Sequence, residues 1–308
     1  MELTRKALVL WNSVFWLQAF SVLPCSGQIQ SKYVDANLPR GQARIFASGV
    51  VSMPRGEGFY EERPVFSPDF KEVFFDLNNY KDKTFTSRHM RYENGKWTSP
   101  EPAFFTKYKG FQPTISADGK RLFFIAPRPQ DDKRRSVWMV ESQSSGWTNP
   151  ILLDSPINSF SVGFVCLTKS DTLYFFAMDP SEQKGVYRSK LVKGRYSSVE
   201  EVPSLQPTKD VQFGDFYVSP DENYIIIYST LAGNLGQGDL YITFQTADGV
   251  WAKPQNLGNE VNTPKYDFAP SISPDGKFLF FTRDGDREGD IYWISSEIIK
   301  KLRPEEKH

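Results

Sequence analysis

The chain has almost none of the side chains on which covalent catalysis and tight metal binding depend: of 308 residues, two are Cys and two are His. Cys25 lies in the N-terminal leader, Cys166 in a stretch read as a buried strand, His89 within a strand, and His308 ends the chain. A Ser, His, Asp triad or a zinc site needs partners that this inventory lacks. Charge of one sign is lacking too, since Lys and Arg number 37 against 37 Asp and Glu. Without a basic excess there is no footprint for phosphate backbones, which argues against nucleic-acid binding. Charge blocks, low-complexity tracts and Pro-rich stalks are missing apart from the tail Arg303 to His308, and no apolar span follows the leader. Gly233-Asn-Leu-Gly-Gln-Gly238 has the glycine spacing of a phosphate loop but joins two strands, and without a helix behind it the anion-binding dipole is missing.

The first residues differ from the rest. Arg5 and Lys6 precede a largely apolar run from Ala7 to Leu23 and a small-residue break at Pro24-Cys-Ser-Gly27. This reads as a signal peptide over residues 1–27, which implies export to the periplasm or beyond. Two alternatives stand beside it. One is an uncleaved membrane anchor, against which Asn12 and Gln18 interrupt the run. The other is a lipid anchor at Cys25, because Val22-Leu-Pro-Cys25 resembles a bacterial lipobox with Pro24 in place of the usual small residue. Once the leader is removed, Cys166 is the only thiol, so stability must come from a packed core rather than a disulfide.

What the chain has in abundance is repetition. Pro270-Ser-Ile-Ser-Pro-Asp-Gly-Lys-Phe-Leu-Phe-Phe281 recurs in weaker form as Phe66-Ser-Pro-Asp-Phe-Lys-Glu-Val-Phe-Phe75 and Ile115-Ser-Ala-Asp-Gly-Lys-Arg-Leu-Phe-Phe124. Two further copies are Cys166-Leu-Thr-Lys-Ser-Asp-Thr-Leu-Tyr-Phe175 and Val218-Ser-Pro-Asp-Glu-Asn-Tyr-Ile-Ile-Ile227. Markers at 67, 116, 167, 219 and 273 give a period of about 50 residues, the length of a four-stranded propeller blade. Each unit reads as an inner strand, a tight Asp-Gly turn, an aromatic-rich second strand, a variable loop and a third strand announced by Gly238-Asp-Leu-Tyr241 or Gly289-Asp-Ile-Tyr292. The pattern predicts an all-β, five-bladed β-propeller in one domain over residues 28–308, with units at 61–106, 110–155, 160–205, 213–259 and 266–300. The fifth unit lacks an outer strand, and Ala43 to Val51 belongs to no unit. That segment is expected to supply the missing strand and so remove the exposed edges.

These residues resemble the TolB-type, WD-like β-propeller repeats of bacterial envelope proteins, whose pattern runs Pro-x-x-Ser-Pro-Asp-Gly-Lys-x-Leu-x-Phe and later Gly-x-Asp-Ile-Tyr. The resemblance covers nearly the whole mature chain and is weakest in unit three. It implies an exported protein of binding or scaffold type, partnered by an envelope protein or a glycan, without a cofactor and without catalysis; fold alone assigns no chemistry.

Residues leading into the inner strands should ring the mouth of a central channel. The candidates for a ligand-binding face are Glu62, Arg63, Gln112, Asp215, Asp267 and Arg283, edged by Phe111, Phe213 and Phe268. Each has a bland counterpart, an acid tied to backbone amides or a ring packed between blades. The enzymatic alternative is a carbohydrate hydrolase, which needs two carboxylates flanking the bond; Glu61, Asp215 and Asp267 come from three units and are its candidates. For metal, Asp284, Asp286, Glu288 and Asp290 alternate as in a calcium loop, but Ser295 stands where the terminal bidentate acid belongs. A charged hairpin loop is the simpler reading of that stretch.

Overall fold

The computed structural model describes residues 32–144, 146–153, 156–196 and 198–304. The signal segment and Cys25 lie outside them. Among the described residues no helix is long and apolar enough to cross a membrane.

Nearly every element is a strand, and the strands pair in sequence order into antiparallel units. Unit one joins Phe59–Phe66, Glu72–Asn79 and Ser87–Glu93, with Glu101–Pro102 outermost. Unit two joins Phe111–Ile115, Arg121–Arg128 and Asp131–Gln143, with Ile151–Leu152 outermost. Unit three runs Ser161–Leu167, Leu173–Met178, Lys184–Ser189 and Glu200–Glu201. Unit four runs Phe213–Val218, Tyr224–Ser229, Asp239–Phe244 and Gln255–Asn256. Unit five has Asp267–Ile272, Phe278–Asp284 and Gly289–Ser295. Its fourth strand comes from the other end of the chain, Arg44–Ile45, with Arg44 opposite Trp293 and Ile45 opposite Tyr292. The strand expected over 43–51 is therefore cut to two residues. The chain turns away at Ala47, whose φ is 45°, and buries Phe46, Ala47 and Val51.

The recurring Ser has a clear physical job. The Ser67, Ser116 and Ser273 hydroxyls each donate to the Asp two residues on, at 2.7, 2.6 and 2.8 Å, and accept backbone N–H groups four or five residues on. This closes the turn between inner and second strands without a free polar group. In unit three Thr168 takes that role, with its hydroxyl 3.0 Å from that of Ser170 and accepting the Thr172 amide. The register there is thus one residue later than a marker at Leu167.

Second strands carry consecutive large apolar residues because both faces are covered. Successive side chains point to opposite faces, so neighbours in sequence enter different cores. Phe74 packs with Phe105, Leu122 and Phe124 between units one and two, whereas Phe75 packs with Phe66, Phe278 and Phe280 between units one and five. Likewise Ile226 joins Leu279 and Phe281, and Ile227 joins Phe164, Tyr174 and Phe216. One core lies at each seam. The seam between units five and one also receives Tyr33, Phe46 and Val51, and Trp293 stacks on Phe280 there at 5.7 Å.

Each inner strand lies against the next, and the fifth lies against the first. At that last seam Ser271 donates to the Pro64 carbonyl at 2.9 Å and Thr282 to the Glu61 carbonyl at 3.0 Å. Tyr60 and Gly289 form a parallel bridge that merges the flanking units into one open nine-stranded sheet, and among the described residues no sheet closes on itself.

Candidate functional site

The inner strands are not regular along their length. Every one has a register break against its second strand, at Glu62/Val65, Phe111/Thr114, Val162/Phe164, Phe213/Phe216 and Phe268/Ser271. Such bulges re-aim side chains. Arg63, Gln112 and Ala269 sit in these breaks with φ of 45°, 55° and 49°, and each is followed by a proline. Left-handed backbone at a non-glycine residue before proline is costly, and such strain gathers where a side chain must be aimed.

Arg63 and Gln112 are aimed together. The buried Arg63 guanidinium donates to Gln112 Oε1 at 3.1 Å, to the Pro113 carbonyl at 2.9 Å and to the Val165 carbonyl at 3.2 Å. It lies 4.3 Å from the Phe164 ring centroid, so one side chain from unit one reaches units two and three. Around this cation sit three carboxylates, none within ion-pair distance of it among the described residues.

Glu62 is fully buried, accepts the Tyr80 hydroxyl at 2.7 Å, and leaves Oε2 without a hydrogen bond. Burial, with the charges of Asp215 and Asp76 adding to it, pushes its ionisation up to about 8. Asp76, also fully buried, accepts the Ser87 hydroxyl and the Gln112 amide at 3.1 Å. Burial raises it to about 7, against the pull of these donors and of Arg63. Asp215 has neither a hydrogen bond nor an ion pair among the described residues, and burial raises it to about 6 although Arg63 draws it down.

Asp215 opens on a pocket of about 400 Å³ whose other walls are Tyr60, Tyr80, Gly214, Tyr228, Tyr266, Phe268 and Asp284. Tyr60 donates to Asp284 at 2.7 Å and meets Tyr80 edge-on at 5.1 Å. The third-strand glycines of the repeat make this wall fit. A Cβ at Gly289 would stand 2.1 Å from the Tyr60 ring, and one at Gly238 would stand 2.4 Å from the Tyr228 ring. Larger grooves of about 1010, 640 and 650 Å³ lie elsewhere on the surface, and none of them is lined by these acids.

The other candidates are placed elsewhere. Glu61 points away from its neighbour Glu62 and holds Arg55 at 2.6 Å; burial raises it to about 7 despite that partner. Asp267 holds Arg283 at 2.8 Å and the Thr263 amide at 2.7 Å, and Arg283 also donates to the Val261 carbonyl at 2.5 Å. The structure therefore does not bring Glu61, Asp215 and Asp267 onto one pocket: Asp215 lines it, while Glu61 and Asp267 are tied to arginines. Phe268 edges the pocket, Phe213 is buried among units three and four, and Phe111 packs on Phe85 at 5.4 Å.

The calcium-like acids also disperse. Asp284 takes Tyr60, Asp286 takes Lys265 at 2.6 Å, and Glu288 takes the Arg55 amide at 2.7 Å. Asp290 faces Glu288, whose charge adds to burial in raising it. Among the described residues no three ligating side chains group to hold a metal. His89 stacks on Phe74 at 4.2 Å and meets Glu72 at 3.0 Å, and Cys166 is buried. The sequence reading missed Tyr60, Tyr80, Tyr228 and Tyr266; the signal available was the repeat glycine against which two of them pack.

No family model matches the chain, and no curated protein does. Solved structures similar to it include a puromycin-hydrolyzing peptidase of Mycobacterium tuberculosis, at 12% identity and TM-score 0.44 over 78% of this chain and 36% of that one. The β-propeller domain of the Trilobed protease from Pyrococcus furiosus matches at 13% and 0.43, over 79% and 82%. The periplasmic gluconolactonase of Pseudomonas aeruginosa matches at 17% and 0.42, over 74% and 66%. The chain thus spans about a third of the peptidase. Likeness this low carries no argument about chemistry.

Proposed function

We propose that the chain is an exported five-bladed β-propeller of TolB-like repeats, closed by pairing Arg44–Ile45 with Gly289–Ser295, that acts as a binding module. Its ligand, part of an envelope protein or a glycan, seats in the pocket at the channel mouth. The observation that carries this reading is Asp215: a partly exposed carboxylate with no hydrogen bond or ion pair among the described residues faces an aromatic-walled cleft, where it is available to a ligand. The cyclic order of the inner strands supports the ring. Calorimetry of the mature chain against a panel of cell-wall glycans and envelope-protein peptides tests it. The reading requires a member whose binding is lost in a Tyr266→Leu, Asp215→Asn double variant; equal binding by that variant refutes the site.

A further inference from the structure

The composition of the pocket lining specifies the charge of what enters. Five aromatic rings and two carboxylates form it, and no Lys, Arg or His is among them. The cations nearby are committed elsewhere: Arg63 to Gln112 and two carbonyls, Arg283 to Asp267 and the Val261 carbonyl, and Arg135 over Phe85 and Phe111 at 5.0 and 4.9 Å. An anionic group would meet Asp215 and Asp284 with nothing to balance it. A neutral sugar would find the Tyr60 and Tyr80 hydroxyls already given to Asp284 and Glu62, which leaves it the Tyr228 and Tyr266 hydroxyls and Asp215 on a lining that is otherwise ring surface. An organic cation fits both features at once. Its charge is met by the free Asp215 carboxylate, and its alkyl groups by the ring faces, whose negative quadrupole attracts a cation.

We propose that the pocket bounded by Tyr60, Tyr80, Tyr228, Tyr266 and Phe268 binds an alkylammonium group against Asp215. This inference rests on the pocket being the binding site and names the class of ligand. The chemistry is shared by a free quaternary amine and by a lysine side chain on a partner protein. About 400 Å³ holds either.

Calorimetric titration of the mature chain with choline, with N-acetyl-lysine methylamide and with 3,3-dimethylbutanol, the uncharged isostere of choline, tests it. At least one cation is expected to bind about tenfold or more tightly than the alcohol, which is worth about 1.4 kcal/mol, and the tighter of the two names the source. Asp215→Asn should erase that preference, and Tyr266→Leu, at a partly exposed wall residue, should weaken both cations while the protein stays folded. Equal or tighter binding of the alcohol overturns the cation inference and leaves the pocket as a binding site. Absence of binding by either cation at about 10 mM also overturns it, and the glycan and peptide panel then decides the pocket by itself.

Discussion

Replacing Glu62 by Gln should make the protein more stable at alkaline pH, although it alters a fully buried polar residue. In the unfolded chain Glu62 ionises near 4.5; folded, it holds its proton to about 8 because burial comes first and Asp215 and Asp76 add repulsion. A folded-state value raised in this way gives stability that is complete below about 4.5 and is lost as pH climbs toward 8, since the unfolded chain gives up its proton first. Between pH 5 and pH 8 the loss from this one group amounts to about 3 kcal/mol. Gln keeps an oxygen to accept the Tyr80 hydroxyl and has no charge to lose. Urea unfolding of wild type and Glu62→Gln at pH 5 and pH 8 measures the difference. The wild type should weaken more steeply by about 3 kcal/mol over that interval. An identical pH slope in the two proteins would mean that Glu62 ionises normally, and the buried acid cluster would not exist as described.

Three further outcomes follow from other parts of the same arrangement. Arg63→Met takes the one buried cation from among Glu62, Asp76 and Asp215 and should cost about 3 to 5 kcal/mol near pH 8, with a smaller loss at pH 5 where the acids hold protons; equal losses in denaturant unfolding at both pH values would contradict this. Gly289→Ala places a Cβ 2.1 Å from the Tyr60 ring, so it should lower stability by about 1 to 3 kcal/mol and abolish ligand binding at the pocket, whereas a calorimetric profile matching wild type would show that the glycine is no seat. A mature chain begun at Met53 loses Tyr33, Phe46 and Val51 from the last seam and should unfold with roughly 5 kcal/mol less free energy; melting as high and as cooperatively as the full chain would refute closure through the N-terminal strand.

The repeat made the strand order readable because its Ser, Asp and Gly solve a local problem, the turn, in the same way each time. The same local origin explains the slip in unit three, where Thr168 performs the task of Ser and the motif is no longer spelled out. Of the six residues expected at a ligand-binding face, Glu62, Gln112 and Asp215 lie around Arg63, while Asp267 and Arg283 pair with each other. Of the three acids expected for hydrolysis only Asp215 lines the pocket, while Glu61 and Asp267 are tied to Arg55 and Arg283, because adjacent residues on a strand face opposite ways and the bulges decide which way. The tyrosines of the pocket were not legible, since they stand at or beside strand ends outside the motif and are gathered only where inner strands from different units lie against one another. Their one trace was indirect, in Gly238 and Gly289.

The central claim is that the bulged inner strands gather the buried Glu62 and Asp76 with the pocket-lining Asp215 at an aromatic pocket, and carbon-13 NMR of the Asp and Glu carboxyl groups reads it directly. A pH titration should find Glu62 ionising near 8 and Asp215 near 6, with Glu62 moving down in the Asp215→Asn variant because one repelling charge is gone. Titration of both groups near 4, with no response of Glu62 to that substitution, would contradict the account.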